Sequence, residues 1–349
     1  MMRELTINSE IITDESECYC IAEIGHNHQG NLQTAKLLIQ AAAECGANAV
    51  KLQKRDNLSL YTDDLYNKPY DHENSFGKTY GEHRDALEFN REQYQELIEH
   101  ARGIGITLFA TAFDFISADF LADLDMPAFK IASGDLTNIP LIKHVASFKK
   151  PIIVSTGGGS IEDVQRLYDE IMPLNSQICI LQCTAGYPAA FEELNLSVIK
   201  TYMELFPDIV VGLSSHDSGI AMALVAYVLG ARVIEKHFTL NRAMKGTDHS
   251  FSLERPGMRR LVRDLRRARV AMGDGIKRIY PSEENPLFKM GKKLVASRDL
   301  PYNHILTEND IAIKSPNNGT PPYEFKNVIG KKISRSLKKD ENIDFKDLN

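Results

Sequence analysis

The chain has 349 residues, 43% of them hydrophobic and 25% charged, which is enough for one large globular domain and a small one and excludes a disordered or fibrous class. Acidic residues outnumber basic ones, 47 to 41, and the formal net charge of −6 argues against a nucleic-acid groove. No apolar run approaches the roughly 18–20 residues of a membrane span, and the first residues lack the apolar core of a signal peptide. A cytoplasmic protein is therefore expected. Its five cysteines (Cys18, Cys20, Cys45, Cys179, Cys183) read as buried reduced thiols.

From Tyr19 onward the chain alternates short β-branched runs with amphipathic helices. Strands are predicted at 19–24, 49–53, 106–111, 128–133, 151–156, 178–184, 209–215 and 232–238. Helices are predicted at 32–45, 91–102, 116–124, 141–147, 161–172, 196–205, 221–229 and 256–272. The basic stretch 259–269 carries Leu261, Val262 and Leu265 at helical spacing, so it reads as a helix with a solvated face. A polar loop running to about Phe89 is far longer than usual, as binding loops and lids are.

Eight βα units over about 260 residues have the rhythm of an α/β (β/α)8 TIM barrel. A doubly wound sheet is the rival, but no Gly-rich dinucleotide fingerprint follows the first strand. The barrel is placed at 1–275, a Pro-containing linker at 276–290 and a small β-rich domain at 291–349.

A barrel carries its chemistry at the C-terminal ends of its strands. Those ends supply Glu23, Lys51, Gln53, Thr111, Lys130, Ser133, Asp135, Ser155, Thr156, Gln182, Thr184, Tyr187, Ser214, His216, Glu235 and His237. The last two strands each deliver a histidine, so His216 and His237 would share one rim as neutral imidazole ligands for a divalent ion. Two unrelated surface histidines are the alternative. Lys51 and Lys130 stand between apolar neighbours and, with the hydroxyls and Gly157–Gly159, suit a phosphate-bearing anion. For either lysine alone, a surface side chain is the competing reading. Glu23, Asp135, Glu235 and Asp248 would move protons, hold hydroxyls or pair with the lysines. His26 and His28 read as loop scaffold.

Stretches throughout the chain then carry a resemblance: IAEIGHNHQG (21–30), AVKLQK (49–54), GKTYGEH (77–83), FKIASGD (129–135), STG (155–157), QCTAGYP (182–188), GLSSHDSG (212–219), EKHFTL (235–240) and KGTDHSFSLE (245–254). The chain resembles the sialic acid synthases, which condense phosphoenolpyruvate with N-acetylmannosamine or a related sugar. The resemblance implies a C-terminal domain like type III antifreeze protein, called SAF, and a domain-swapped homodimer. It implies that His216 and His237 hold Mn²⁺ or Mg²⁺. Lys51, Thr111, Lys130, Ser133, Ser155 and Ser214 would hold phosphoenolpyruvate. Gln53, Asn74, Asp135, Tyr187 and Asp248 would approach the sugar, and Glu23 and Glu235 would be catalytic.

Asp135 stands where many bacterial members carry Glu, Ala185 where they carry Asn, and Ser315 where they carry a sugar-reading Arg. Lys314, Lys78 or Arg84 would then be available to a sugar phosphate. Mannose 6-phosphate or a diacetylated sugar leading to legionaminic acid are alternative substrates for the same chemistry. A binding protein built on an inert barrel is the alternative of a different class.

Overall fold

The computed structural model describes residues 3–349. Eight parallel strands close into a barrel: Tyr19–Glu23, Ala49–Lys54, Thr107–Ala112, Phe129–Ile131, Ile152–Ser155, Ile178–Cys183, Val210–Ser215 and Val233–His237. The eighth strand pairs with the first, His237 opposite Glu23, so every strand has two neighbours and no edge is exposed. The Leu, Ile and Ala of the surrounding helices bury against the outward-facing strand residues in one continuous core. Helix ends are set locally. Asn31, Asn90, Asp114 and Ser160 each accept a backbone N–H of the first turn, and Gly105, at φ 83°, closes the helix that begins at Arg91.

Inside the barrel, side chains alternate with period two. Tyr19, Ile21, Ala49, Phe109, Ala128, Ile153, Cys179, Leu181, Val210 and Val233 form an apolar inner cluster. The following inward positions along the same strands are Glu23, Lys51, Thr111, Lys130, Ser155, Cys183, Ser214 and Glu235, so the interior turns from apolar to polar and charged within one or two steps. Gly212 faces inward where a β-carbon would lie 2.3 Å from the Val233 carbonyl and 2.5 Å from Leu181; only glycine leaves Leu181 its space.

Two features of the barrel unit depart from the sequence-based expectation. The first residues form an antiparallel hairpin, Glu4–Ile7 with Glu10–Thr13, whose Leu5, Ile7 and Ile12 join the inner apolar cluster. Thr6 and Asn8 tie it to Gln177 and Thr107, so it sits at the N-terminal end of the barrel. The long polar segment, read as loop, holds three short helices, Asn57–Leu60, Asp63–Tyr66 and Tyr80–Asp85. Each is started by a side-chain cap, Asp56, Thr62 or Thr79, and none has an apolar stripe for periodicity to reveal.

The chain divides into two compact units, Met1–Gly273 and Asp274–Asn349, so the segment expected as linker belongs to the second unit and contains a helix, Glu284–Met290. That unit pairs Lys293–Ala296 with Ile311–Lys314 over a core of Leu294, Ala296, Leu300, Leu306, Ile311, Val328, Ile333, Leu337 and Ile343. Its polar centre is Asp310, fully buried and hydrogen-bonded by Arg298, His304 and both the amide and hydroxyl of Thr307, at 2.6–2.9 Å. Burial alone would raise its pKa, but the bonds from His304, Thr307 and Arg298 outweigh it and hold the carboxyl well below the usual range. No helix among the described residues is long and apolar enough to cross a membrane.

Asp310→Ala strands these donors and should cost the C-terminal unit about 1–3 kcal/mol, read from faster hydrogen exchange of the Lys293–Ala296 amides. Because the folded carboxyl is more acidic than the unfolded one, its contribution is full above roughly pH 4 and is lost as pH falls toward the folded value. In Asp310→Asn that part of the acid sensitivity should be missing.

Candidate active site

The C-terminal mouth of the barrel opens into a cleft of about 680 Å³. Glu23, Lys51, Gln53, Asn74, Thr111, Lys130, Ser133, Ser155, Tyr187, Ser214, His216, Glu235, His237 and Asp248 all line it. Strand pairing explains the assembly: Glu23 lies opposite Lys51, Gln53 opposite Thr111, Thr111 opposite Lys130, and Ser214 opposite Glu235.

The floor is a buried charge cluster. Lys51 Nζ lies 2.7 Å from Glu23 Oε2 and 3.8 Å from Glu235 Oε1, and donates to Thr111 Oγ1 at 2.8 Å. Lys130 Nζ donates to Ser155 Oγ at 2.6 Å and to the Ile131 carbonyl at 2.9 Å, with no carboxylate in ion-pair contact among the described residues. Burial lowers the Lys130 ammonium from its ordinary value, partly offset by Glu235. Burial, only partly countered by Lys51, pushes Glu23 up to about 7. Glu235 is also penalised by burial, but Lys51, Lys130 and His237 outweigh that and hold it below its ordinary value. The two carboxylates thus differ in role: Glu23 can carry a proton near neutrality while Glu235 stays ionised. An anion placed between Lys130, Ser155 and Lys51 would find two ammonium groups and three hydroxyls, Ser133 included.

The rim holds the imidazoles. The rings of His216 and His237 are 5.3 Å apart between centroids. His216 Nδ1 is 2.9 Å from the Thr184 carbonyl, which can only accept, so Nδ1 carries the proton and Nε2 keeps a free lone pair. Burial keeps His237 neutral despite Asp248, whose Oδ2 is 3.7 Å from Nδ1, and that buried nitrogen has no hydrogen-bond partner. His216 Nε2 and the unpartnered imidazole of His237, beside carboxylates, form a donor set suited to a divalent ion. No ready-made cluster of three or more His, Cys, Asp or Glu is assembled among the described residues, so the remaining positions would fall to water or substrate oxygens. Tyr187 covers His216 with its ring at 4.2 Å and Phe251 packs on His237 at 5.0 Å. Just outside, Lys236 and Asp217 pair at 2.9 Å, both buried, joining the two strand ends that carry the histidines.

Asp135, expected at the sugar, does not line the cleft. After Ile131 the chain enters a 3-10 turn, Ser133–Asp135, which breaks the strand alternation and spends the carboxylate on Asn138 Nδ2 at 3.1 Å. Gln182 and Thr184 fall on the outward parity and bond the Leu194 and Glu193 carbonyls, and Thr156 bonds that of Leu181. Asn74 holds the Gly246 amide at 2.8 Å, joining the long 54–89 segment to the loop carrying Asp248. Lys78 is exposed outside the cleft lining, and Lys314 is ion-paired with Asp340 within the C-terminal unit. His28 is scaffold: it stacks on Phe89 and accepts the Gly30 amide. His26 instead reaches the cleft, as do Arg55 and Arg84. Arg55 was legible from parity, since Lys51, Gln53 and Arg55 alternate along one strand and its continuation.

The NeuB family matches residues 38–277 and the SAF domain residues 293–349. The N-acetylneuraminate-9-phosphate synthase of Homo sapiens is 41% identical over 93% of this chain and 91% of its own. The N,N'-diacetyllegionaminic acid synthase of Campylobacter jejuni is 36% identical over 92% of this chain and 97% of its own. Among solved structures, the N-acetylneuraminic acid synthetase of Leptospira borgpetersenii, crystallised with citrate, superposes with a TM-score of 0.72 at 29% identity over 82% of this chain and 95% of that one.

Replacing Lys51 by Met leaves Glu23 buried without its cation, which should cost about 3–5 kcal/mol in urea denaturation. Adding Glu23→Gln removes that stranded charge and should restore most of the stability without restoring activity. A double variant as unstable as the single one would show that Glu23 is not what Lys51 supports.

Proposed function

The chain belongs to the NeuB family and carries a SAF domain, and from that premise we propose that it condenses phosphoenolpyruvate with N-acetylmannosamine or its 6-phosphate, releasing phosphate and forming a nonulosonic acid. The observation that carries this reading is a single cleft with buried ammonium groups on its floor and two free imidazole nitrogens on its rim. One end suits the phosphate and carboxylate of phosphoenolpyruvate, the other the oxygens of an open-chain sugar.

In this mechanism Lys51, Lys130, Ser133, Ser155, Thr111 and Ser214 hold phosphoenolpyruvate, fixing C3 toward the rim. A divalent ion, Mn²⁺ or Mg²⁺, held by His216 Nε2 and His237 would supply Lewis-acid polarisation of the aldehyde oxygen. Attack by C3 on the aldehyde carbon leaves positive charge at C2, which ionised Glu235 stabilises across the floor. Glu23, poised near neutrality, exchanges a proton with the water that adds at C2 or with the new hydroxyl. Collapse of the resulting tetrahedral carbon breaks the bond between C2 and the bridging oxygen, and Lys130 and Lys51 receive the phosphate. Gln53 donates to Glu23 at 2.7 Å and so orients this acid.

Mixed with both substrates, the chain should release inorganic phosphate, with either substrate alone it should not, and a chelator should abolish the reaction. Release indifferent to chelator would remove the ion from the mechanism, and no release with any aldose would refute the condensation itself. His216→Ala and His237→Ala should each lose roughly a hundredfold or more in rate while remaining folded. Phosphoenolpyruvate labelled with ¹⁸O in the C–O–P bridge should give labelled phosphate. Label kept in the sugar acid would mean that the P–O bond breaks instead.

A further inference from the structure

Above the carboxylates the wall of the cleft becomes cationic again. Arg55 follows Lys51 and Gln53 on the inward parity of the second barrel strand, its backbone roughly 13 Å beyond that of Lys51 by strand rise. It is only 7% exposed, and its guanidinium lies over the Phe113 ring at 3.7 Å. Its Nη1 meets His26 Nε2 at 2.8 Å, while Arg84, from the 54–89 segment, meets His26 Nδ1 at 3.2 Å. Burial, and then the two guanidiniums, keep His26 uncharged. A neutral imidazole has one acceptor nitrogen and one N–H, so one of these contacts sets donor against donor.

The other partners do not supply the missing acceptor. Arg55 Nη2 bonds Gln53 Oε1 at 2.7 Å; Glu88 bonds Lys54 and the Arg55 amide through Oε2, and its Oε1, buried without a hydrogen-bond partner, stands 3.9 Å from Arg55 Nη1, an ion pair beyond hydrogen-bond reach. Arg84 Nη2 bonds the Tyr80 hydroxyl at 2.9 Å; its Nε is buried without a partner, and no carboxylate lies in ion-pair contact with it among the described residues. Of the two guanidiniums around one imidazole, Arg84 has no carboxylate in contact among the described residues and Arg55 only a long ion pair with Glu88, and both face the same cleft as the lysine floor. A phosphate monoester brings three acceptor oxygens and nearly two negative charges, and guanidinium forks bind it bidentately.

We propose that Arg55, Arg84 and His26 form a subsite for a phosphate monoester at the far end of the aldose, so that the chain acts on a sugar phosphate in preference to the free sugar. This rests on the reading of the cleft as an aldose site given above. The two anions of the reaction then lie at opposite ends, with phosphoenolpyruvate on the lysines and the sugar phosphate on the guanidiniums. The reacting carbons fall between them.

The test compares initial rates of the full chain with N-acetylmannosamine 6-phosphate and N-acetylmannosamine, in the presence of phosphoenolpyruvate and a divalent ion. The unaltered chain should favour the phosphorylated sugar in kcat/KM. Arg84→Met should shrink that preference roughly 10–100-fold, through KM for the phosphorylated sugar and with KM for phosphoenolpyruvate unmoved. Arg84→Lys, which retains charge and disturbs packing least, should restore part of it, and Lys68→Met, an exposed lysine outside the cleft, should leave it intact. Preference for the free sugar, a preference untouched by Arg84→Met, or an effect confined to inhibition by released inorganic phosphate would overturn the subsite. If no aldose reacts at all, the condensation falls separately, and equilibrium binding of mannose 6-phosphate against mannose decides the subsite. Phosphate-dependent binding weakened in Arg84→Met supports it, and equal binding of the two sugars rejects it.

Discussion

Lys51 is the interaction on which the rest of the barrel mouth depends. An ammonium group buried at the centre of a barrel is costly without compensating charge or hydrogen bonds; Glu23 and Glu235 supply the charge and the Thr111 hydroxyl a hydrogen bond, from three different strands. The cluster therefore ties three strands together and lines the floor of the cleft. It leaves Lys130 with hydroxyl and carbonyl partners but no carboxylate, so the floor retains attraction for an incoming anion. It also separates two chemically identical carboxylates: the one with less cationic company takes up a proton near neutrality and the other does not.

Period-two alternation made most of this legible in advance. Once the barrel is recognised from eight βα units, inward parity alone selects Glu23, Lys51, Gln53, Thr111, Lys130, Ser155, Ser214, Glu235 and His237. Where the reading erred, the alternation had stopped or had not been followed far enough. Asp135 lies past the strand in a 3-10 turn, and Arg55 lies one residue beyond the strand's end on the correct parity. Gln182 and Thr184 are polar strand-end residues on the wrong parity, and so they serve backbone carbonyls.

Other features were hidden for different physical reasons. The N-terminal hairpin has strands of four residues, so Leu5, Ile7 and Ile12 are too few to stand out as a pattern until the barrel end they fill is known. The helices of the 54–89 segment are defined by caps, and capping residues are equally common in turns. His26 and His28 sit two apart in one loop, yet one stacks on Phe89 and the other stands between two guanidiniums. Nothing local in the sequence distinguishes them, because the difference comes from Arg55 and Arg84, 29 and 58 residues away.

The N-terminal hairpin has a kinetic meaning as well as a packing one. With Leu5, Ile7 and Ile12 stoppering one end and an apolar layer filling the barrel above them, the interior is a blind tube with a single door. Traffic in a blind tube is last in, first out. An anion on the lysines can enter or leave only through the cleft mouth, past the rim that carries His216 and His237. The single route is thus set at the far end of the barrel, where the hairpin and the apolar layer leave no second way out.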